Sequence, residues 1–438
     1  MSLVKLAETT GEQRYADLAE HFVRQRGQQP LYFELEDRRR AREDGRNYAP
    51  REQNYAYYQA DKPITEQTEA LGHAVRAAYF YAGAADVARL TGDSDLLASC
   101  ERLWRNIVDR KLYITGGIGA THMGEAFSFD YDLPNDTAYS ESCAAIALAF
   151  FARRMLEIQP KSEYADVMES ALYNTTLAGM ALDGKSFFYV NPLEVVPEAC
   201  HRDERKAHVK PVRQKWFGCA CCPPNIARIV EDVQQYAYTI GDDSSTLYVH
   251  LYMGGGVHAR LSGTDVRLDV MSDMPWSGKG SVAVGFDAGD SASDASKDAV
   301  FTIALRLPAW AGGETASDAV TVRGRDDISR VIRDGYLYLT GAWHDATSSI
   351  SISRCRSTWS PRIRSCARTP ERWRSCADRW PTARKVSIMA RTCICCTPIP
   401  RASHPIHPAC PLIASSSMPA PSRRTSRGSA RWTPSICR

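Results

Sequence analysis

The spacing of apolar residues changes once along this chain, near residue 246. Before that point they recur every three or four positions, which is the spacing of one helix face. After it they alternate, as in half-buried strands, until about residue 353. One type of element cannot satisfy both patterns. The chain must therefore build a helical part followed by a sheet part. Its 438 residues suit two domains, or three.

Helical spacing is clearest over 11–23, 73–88, 96–108, 140–156, 164–180 and 225–238. Residues 73–88 are rich in small side chains, which suits close helix packing. Two helix starts resemble each other: Gly11 ahead of Leu18-Ala19, and Thr91-Gly92-Asp93 ahead of Leu96-Leu97. Repeated helical hairpins of this kind point to a toroid or solenoid. Strands are expected over 247–252, 281–286, 299–307, 320–322, 336–339 and 349–353. Short strands with regular turns predict an antiparallel β-sandwich. Gly241-Asp242-Asp243-Ser244-Ser245 reads as the boundary. The division is then 1–243 helical, 244–353 sandwich and 354–438 tail.

The net charge of +3 conceals two regions. From Arg354 to Arg438 there are 16 Arg against two acids, with eight of the 14 Cys and 11 of the 23 Pro. Without that stretch the chain is acidic, so the overall charge is no argument for nucleic acid. The tail has no period and no nucleic-acid motif. It reads as out-of-frame translation, the alternative being a genuine disordered arm. No run of about 18 apolar residues occurs, so no membrane span is expected. The start lacks a secretory layout, and a cytoplasmic location follows. In that compartment cysteines are more often metal-binding or catalytic than disulfide-bonded.

The chemistry concentrates in Cys219-Ala220-Cys221-Cys222-Pro223-Pro224. Ionised thiols are soft ligands and strong nucleophiles. The two prolines are expected to stop the chain from running on as a helix. Glu125 lies in a glycine-rich loop beside aromatic residues. Apolar surroundings favour a neutral carboxyl, which suits a general acid; the plainer reading is a solvated loop residue. Glu141 and Cys143 begin an apolar helix. Residues two apart do not share a helix face. Both can reach one metal only if Glu141 lies in a non-helical approach. Glu141, Cys143, Cys221 and Cys222 would give Zn²⁺ one oxygen and three sulfurs; Cys143 could equally be a small core residue. His73 and Tyr189 fit plain packing as well as a site.

Three segments then become specific. They are Gly124-Glu125-Ala126-Phe127 running on to Phe129-Asp130-Tyr131-Asp132-Leu133-Pro134-Asn135-Asp136-Thr137, Glu141 with Cys143-Ala144, and Trp216-Phe217-Gly218-Cys219-Ala220-Cys221-Cys222-Pro223 with Asn225-Ile226-Ala227-Arg228. Together they resemble glycoside hydrolase family 127, the β-L-arabinofuranosidases, over about residues 1–350. The resemblance implies an (α/α)6 barrel followed by β-sandwich domains. It implies a retaining exo-glycosidase with a zinc-bound cysteine nucleophile. By motif position, Cys221 would be the nucleophile and Glu125 the acid/base. Glu141, Cys143, Cys221 and Cys222 would hold Zn²⁺, and His73 and Tyr189 would contact the sugar. Cys219 matches a cysteine that is not a ligand.

The implied substrate is a small oligosaccharide or an arabinosylated glycoconjugate, with no nucleic acid and no membrane as partner. The oligomeric state stays open, a homodimer among the options. Other readings are a glycosidase for another pentose and a non-catalytic zinc-binding or carbohydrate-binding protein. Against the family pattern, Met1 falls inside the helical barrel and the sandwich breaks off near Ser353. The chain therefore reads as lacking upstream helices and frameshifted near residue 353. A product of low stability and weak activity is expected.

Overall fold

A computed structural model describes residues 1–48, 54–274, 279–286, 299–324, 327–343 and 349–352. The tail proposed for 354–438 lies outside the described residues. Helices come first, then two five-stranded sheets. The helices are α1 (Ser2–Thr10), α2 (Gln13–Gln25), α3 (Tyr32–Glu43), α4 (Ala74–Thr91), α5 (Ser94–Asn106), α6 (Ser142–Ile158), α7 (Ser162–Ser170), α8 (Ala199–Arg202), α9 (Cys222–Glu231) and α10 (Gln234–Ala237). Among the described residues no helix is long and apolar enough to cross a membrane.

Two helices make the heart of the helical core. In α4, Ala74, Ala77, Ala78, Ala82, Ala84 and Ala85 are buried, and α6 is buried on nearly every face. Small side chains let the two backbones approach closely. A buried ion pair lies within that contact: Arg154 Nε sits 2.7 Å from Asp86 Oδ1, and Arg89 and Glu157 form a longer, more exposed pair at 3.9 Å. Arg154 and Asp86 are both buried, so each charge depends on the other.

The helix ends follow local chemistry. Gly92, left-handed at φ 67°, closes α4. Asp93 then caps α5, accepting from the N–H groups of Asp95 and Leu96. The Leu96 N–H holds the Asp93 carboxyl below its ordinary range, and Arg24 adds to this. A depressed folded pKa gives stability that is present above the unfolded value of about 3.9 and lost as pH falls through the folded one. Asp93→Ala is expected to cost about 1 kcal/mol at pH 7 and less at pH 3, read by urea unfolding at both pH values.

The prolines behave differently from expectation. Pro223 and Pro224 lie in the first turn of α9, just after Cys222; they do not end a helix. The first turn of a helix has N–H groups with no partner to lose, and proline's fixed φ already fits there.

The strands are β1 (Tyr238–Ile240), β2 (Thr246–Val249), β3 (Gly255–Leu261), β4 (Thr264–Ser272), β5 (Gly280–Phe286), β6 (Ala299–Arg306), β7 (Val320–Arg323), β8 (Ser329–Arg333), β9 (Tyr336–Trp343) and β10 (Ser349–Ile352). One sheet has the order β1-β2-β6-β9-β8, the other β3-β4-β5-β10-β7. Both contribute to one hydrophobic core, with Val249, Ile303 and Leu339 from the first and Leu261, Leu268 and Val284 from the second.

Pairing is antiparallel except between β2 and β6, which run parallel. The intervening strands β3 to β5 lie in the other sheet, so the chain returns beside β2 in the same direction. The proposed boundary at 241–245 is a hairpin turn, because β1 pairs with β2 across it. The sheet therefore begins a few residues earlier than the sequence indicated.

The helical and sheet parts meet through a buried charge cluster. Arg306 of β6 is fully buried. Its guanidinium reaches Asp166 and Glu169 of α7 at 2.5 Å each. Trp310 Nε1 donates to the other Glu169 oxygen at 2.6 Å.

Candidate active site

The loop after α5 brings Glu125 inward. Gly124 is left-handed (φ 71°), and a Cβ there would lie 2.8 Å from the Tyr57 ring. Glu125 is itself left-handed (φ 54°), a strained setting for a side chain with a Cβ. His73 sits at the N-terminus of α4. Its Nδ1 accepts the Arg76 backbone N–H at 3.2 Å. The neutral ring must therefore carry its hydrogen on Nε2, which lies 3.0 Å from Glu125 Oε2. Tyr139 O–H donates to Glu125 Oε1 at 2.7 Å. Burial pushes the Tyr139 phenol pKa up, and the bond to Glu125 adds to it.

Glu141 is the extended residue just before α6 (φ −62°, ψ 139°). This is the non-helical approach that lets it and Cys143 face one point. Cys221 directly precedes α9, whose first residue is Cys222, but its own backbone is already helical (φ −71°, ψ −43°). The four donor atoms of Glu141, Cys143, Cys221 and Cys222 lie within 4.8 Å of one another. Cys221 Sγ is 3.4 Å and Cys222 Sγ 3.3 Å from Glu141 Oε1. Cys143 Sγ lies 3.7 Å from Cys221 Sγ. Asn225 Nδ2 donates to Cys143 Sγ at 3.2 Å.

The electrostatics of this cluster favour a cation. Burial, then the charge on Cys221, pushes the Glu141 carboxyl up to about 8. Burial also raises the Cys222 thiol. The Cys221 and Cys222 thiols beside it pull Cys143 down to about 5. Without a positive partner the buried spot keeps protons on Glu141 and Cys222; four anions can stand there together only around a cation. The buried Glu141 Oε2 has no hydrogen-bond partner. Three sulfurs and one carboxylate are a donor set that suits Zn²⁺. The residues present fit that ion.

Both groups open on one cavity of about 570 Å³. His73, Glu125, Glu141, Cys143, Tyr189, Cys219 and Cys221 line it, with Tyr79, Asn225 and Arg228. Glu141 joins the halves: its carboxyl lies within 4.8 Å of the His73 and Glu125 donors as well. Cys221 is exposed, whereas Glu141, Cys143 and Cys222 are buried. Tyr189 OH is 2.9 Å from Cys221 Sγ and 3.7 Å from Cys219 Sγ. The structure thus gathers every residue singled out from the sequence. His73 meets Glu125 directly, a contact that the sequence reading did not foresee. Tyr139 and Asn225 were not singled out. Tyr139 has only its place two before Glu141 as a sequence signal; Asn225 stands in the motif that carries the family resemblance, one turn after Cys221, with no role attached to it.

Fold and site together define a helix-plus-sheet protein whose thiol-rich cluster, able to hold a cation, opens on a cavity shared with a loop carboxyl. A family model described as "Beta-L-arabinofuranosidase, GH127 catalytic domain" matches residues 1–235, and its middle-domain counterpart matches 246–352. The chain belongs to glycoside hydrolase family 127. A "Non-reducing end beta-L-arabinofuranosidase" of Bifidobacterium longum subsp. longum is 40% identical over 346 residues, covering 77% of this chain and 49% of the relative. The crystal structure of a GH127 β-L-arabinofuranosidase from Geobacillus stearothermophilus T6 is 43% identical, with a TM-score of 0.71. That match covers 83% of this chain and 55% of the other. A further GH127 β-arabinofuranosidase structure is 33% identical, with a TM-score of 0.64 over 83% of this chain and 52% of that one. The chain spans about half the length of the relatives it matches.

Proposed function

We propose that the chain carries the catalytic site of a retaining exo-glycosidase. Its substrate would be a non-reducing terminal β-L-arabinofuranoside on a small oligosaccharide or glycoconjugate. In this reading the helices ahead of β1 are part of an (α/α)6 barrel, and the strands from β1 onward are part of a β-sandwich.

Cys221 is the nucleophile and Glu125 the acid/base. Zn²⁺ held by Glu141, Cys143, Cys221 and Cys222 would keep the thiols ionised at neutral pH. Glu125 gives its proton to the leaving oxygen as the C1–O bond breaks and the C1–S bond to Cys221 forms. It then takes a proton from water, whose oxygen bonds C1 as the C1–S bond breaks. Two inversions at C1 give net retention. His73 and Tyr189 border the cavity where the sugar would lie. Arabinofuranosidase specificity is supported by the named relatives.

One observation carries the reading. Cys221 is the exposed sulfur of an otherwise buried cluster, and it shares a cavity with Glu125. A closed structural zinc site would have no use for either feature.

The test is release of L-arabinose from a 4-nitrophenyl β-L-arabinofuranoside by the full chain, with and without a zinc chelator. Turnover that the chelator abolishes supports the proposal; turnover untouched by it overturns the zinc assignment. A second readout is independent of turnover. Titration with a disulfide reagent is expected to find fewer reactive thiols in the zinc-loaded protein than in the chelated one, Cys221 first among them; the buried Cys143 and Cys222 react only as the unloaded cluster opens. Equal counts would count against Cys143, Cys221 and Cys222 as joint ligands.

A further inference from the structure

Glu125 is about a third exposed, with a side-chain accessibility of 35%. A glutamate so placed on a loop would ordinarily sample several rotamers, because nothing in its own chain holds the carboxyl. Here both oxygens are held. His73 takes Oε2, and its tautomer is set by the backbone N–H of Arg76. Tyr139 takes Oε1 at 2.7 Å.

The two anchors come from different elements and differ in what they fix. His73 ties the carboxyl to the start of α4. Tyr139 ties it to the short run Tyr139-Ser140-Glu141, whose last residue belongs to the sulfur cluster. That run is itself rigidly placed. Ser140 is left-handed (φ 41°), and its N–H donates to Gly119 O at 2.8 Å. The Asn191 N–H reaches Tyr139 O at 3.2 Å and Ser140 O at 3.1 Å. The Tyr139 ring is 9% exposed and packs on Tyr189 and His208, with ring centroids 6.2 and 5.7 Å apart. Within three residues, then, the chain presents a hydroxyl to the acid/base and a carboxylate to the nucleophile's cluster.

We propose that Tyr139 is a positioning residue: it fixes the Glu125 carboxyl and sets its separation from Cys221. The inference rests on the acid/base role proposed above for Glu125. A proton donor that wanders loses the oriented geometry on which its contribution depends. The loss should be felt most where the leaving oxygen needs the proton most.

The experiment compares Tyr139→Phe and Glu125→Gln in the full, zinc-supplemented chain on two substrates. One is the 4-nitrophenyl β-L-arabinofuranoside, whose leaving group departs readily. The other is the methyl glycoside, whose leaving group needs protonation. Glu125→Gln is expected to lower kcat/KM, which reports the first step alone, by about 10²-fold or more on the methyl glycoside and far less on the activated substrate; loss of the base in the second step lowers kcat on both. Tyr139→Phe is expected to follow the same pattern at smaller size: about tenfold in kcat/KM on the methyl glycoside, the scale of one hydrogen bond to a charged group, with KM unchanged. Tyr139→Met removes the hydroxyl while filling apolar space, and should repeat the result if the Phe variant does not fold.

An equal loss of kcat/KM on both substrates, or a change in KM alone, would overturn the positioning role while leaving the function intact. A Glu125→Gln variant with no leaving-group dependence would overturn the acid/base assignment, and this inference with it. The same holds if the unsubstituted chain turns over neither substrate.

Discussion

Cys221→Ala is expected to lower kcat on a β-L-arabinofuranoside by about 10⁴-fold or more while leaving the fold in place. The size follows from the role. Removing the atom that bonds C1 leaves no covalent route, and the remaining groups retain only orientation and proton transfer. The specificity of the effect follows from burial. Cys222 and Cys143 are at 0% and 3% exposure, and truncating either leaves a gap in a packed core next to Glu141. Cys221 is exposed on the cavity, so its loss removes few packing contacts. Three of the four donors, Glu141, Cys143 and Cys222, remain. Thermal unfolding of the Cys221 variant should therefore stay closer to that of the unsubstituted chain than unfolding of Cys143→Ala does. Turnover by Cys221→Ala at the ordinary rate would remove the cysteine from the mechanism altogether. A collapse of stability matching that of Cys143→Ala would instead make Cys221 a structural ligand.

The site was more legible in the sequence than the fold around it, and the reason is local. Glu141 and Cys143 can face one point only from an extended approach to a helix, and that condition was readable because the apolar run of α6 starts just after them. The prolines misled because their position relative to a helix start matters more than their presence. At the first turn of α9 they aid the helix. Among the strands, β3 and β4 were passed over. Their inward residues Ala259, Leu261, Val266, Leu268 and Val270 do alternate, but glycines and charged residues lie between them. The Ser262-Gly263 turn, with both residues left-handed, was the available signal. β8 carried less: all five residues are exposed, so it has no buried face to betray it. Contacts between distant segments were the least visible. Nothing in the sequence aims Tyr139 at Glu125, since the bond depends on how the loop and the start of α6 fold onto each other.

Arg306→Met is expected to destabilise the chain by about 3–5 kcal/mol, the usual cost of removing one partner from a buried ion pair. Arg306 is fully buried at the meeting of β6 and α7, against Asp166 and Glu169. Burial alone would lower the guanidinium pKa, but the charges of Glu169 and Asp166 outweigh it and the net shift is upward. Burial already raises the Asp166 carboxyl, and Arg306 is the main group opposing that rise. Without Arg306 the carboxyl should rise further. A carboxyl whose folded pKa lies above its unfolded value costs stability at high pH, and the cost fades as pH falls and both states become protonated. The penalty in Arg306→Met should therefore be larger at pH 7 than at pH 4, which urea unfolding at the two pH values would read. Adding Asp166→Asn and Glu169→Gln removes the stranded charges and should recover much of the loss. A penalty under about 1 kcal/mol at pH 7, or one that does not shrink in acid, would mean that the helical and sheet parts are joined by apolar packing and not by this cluster.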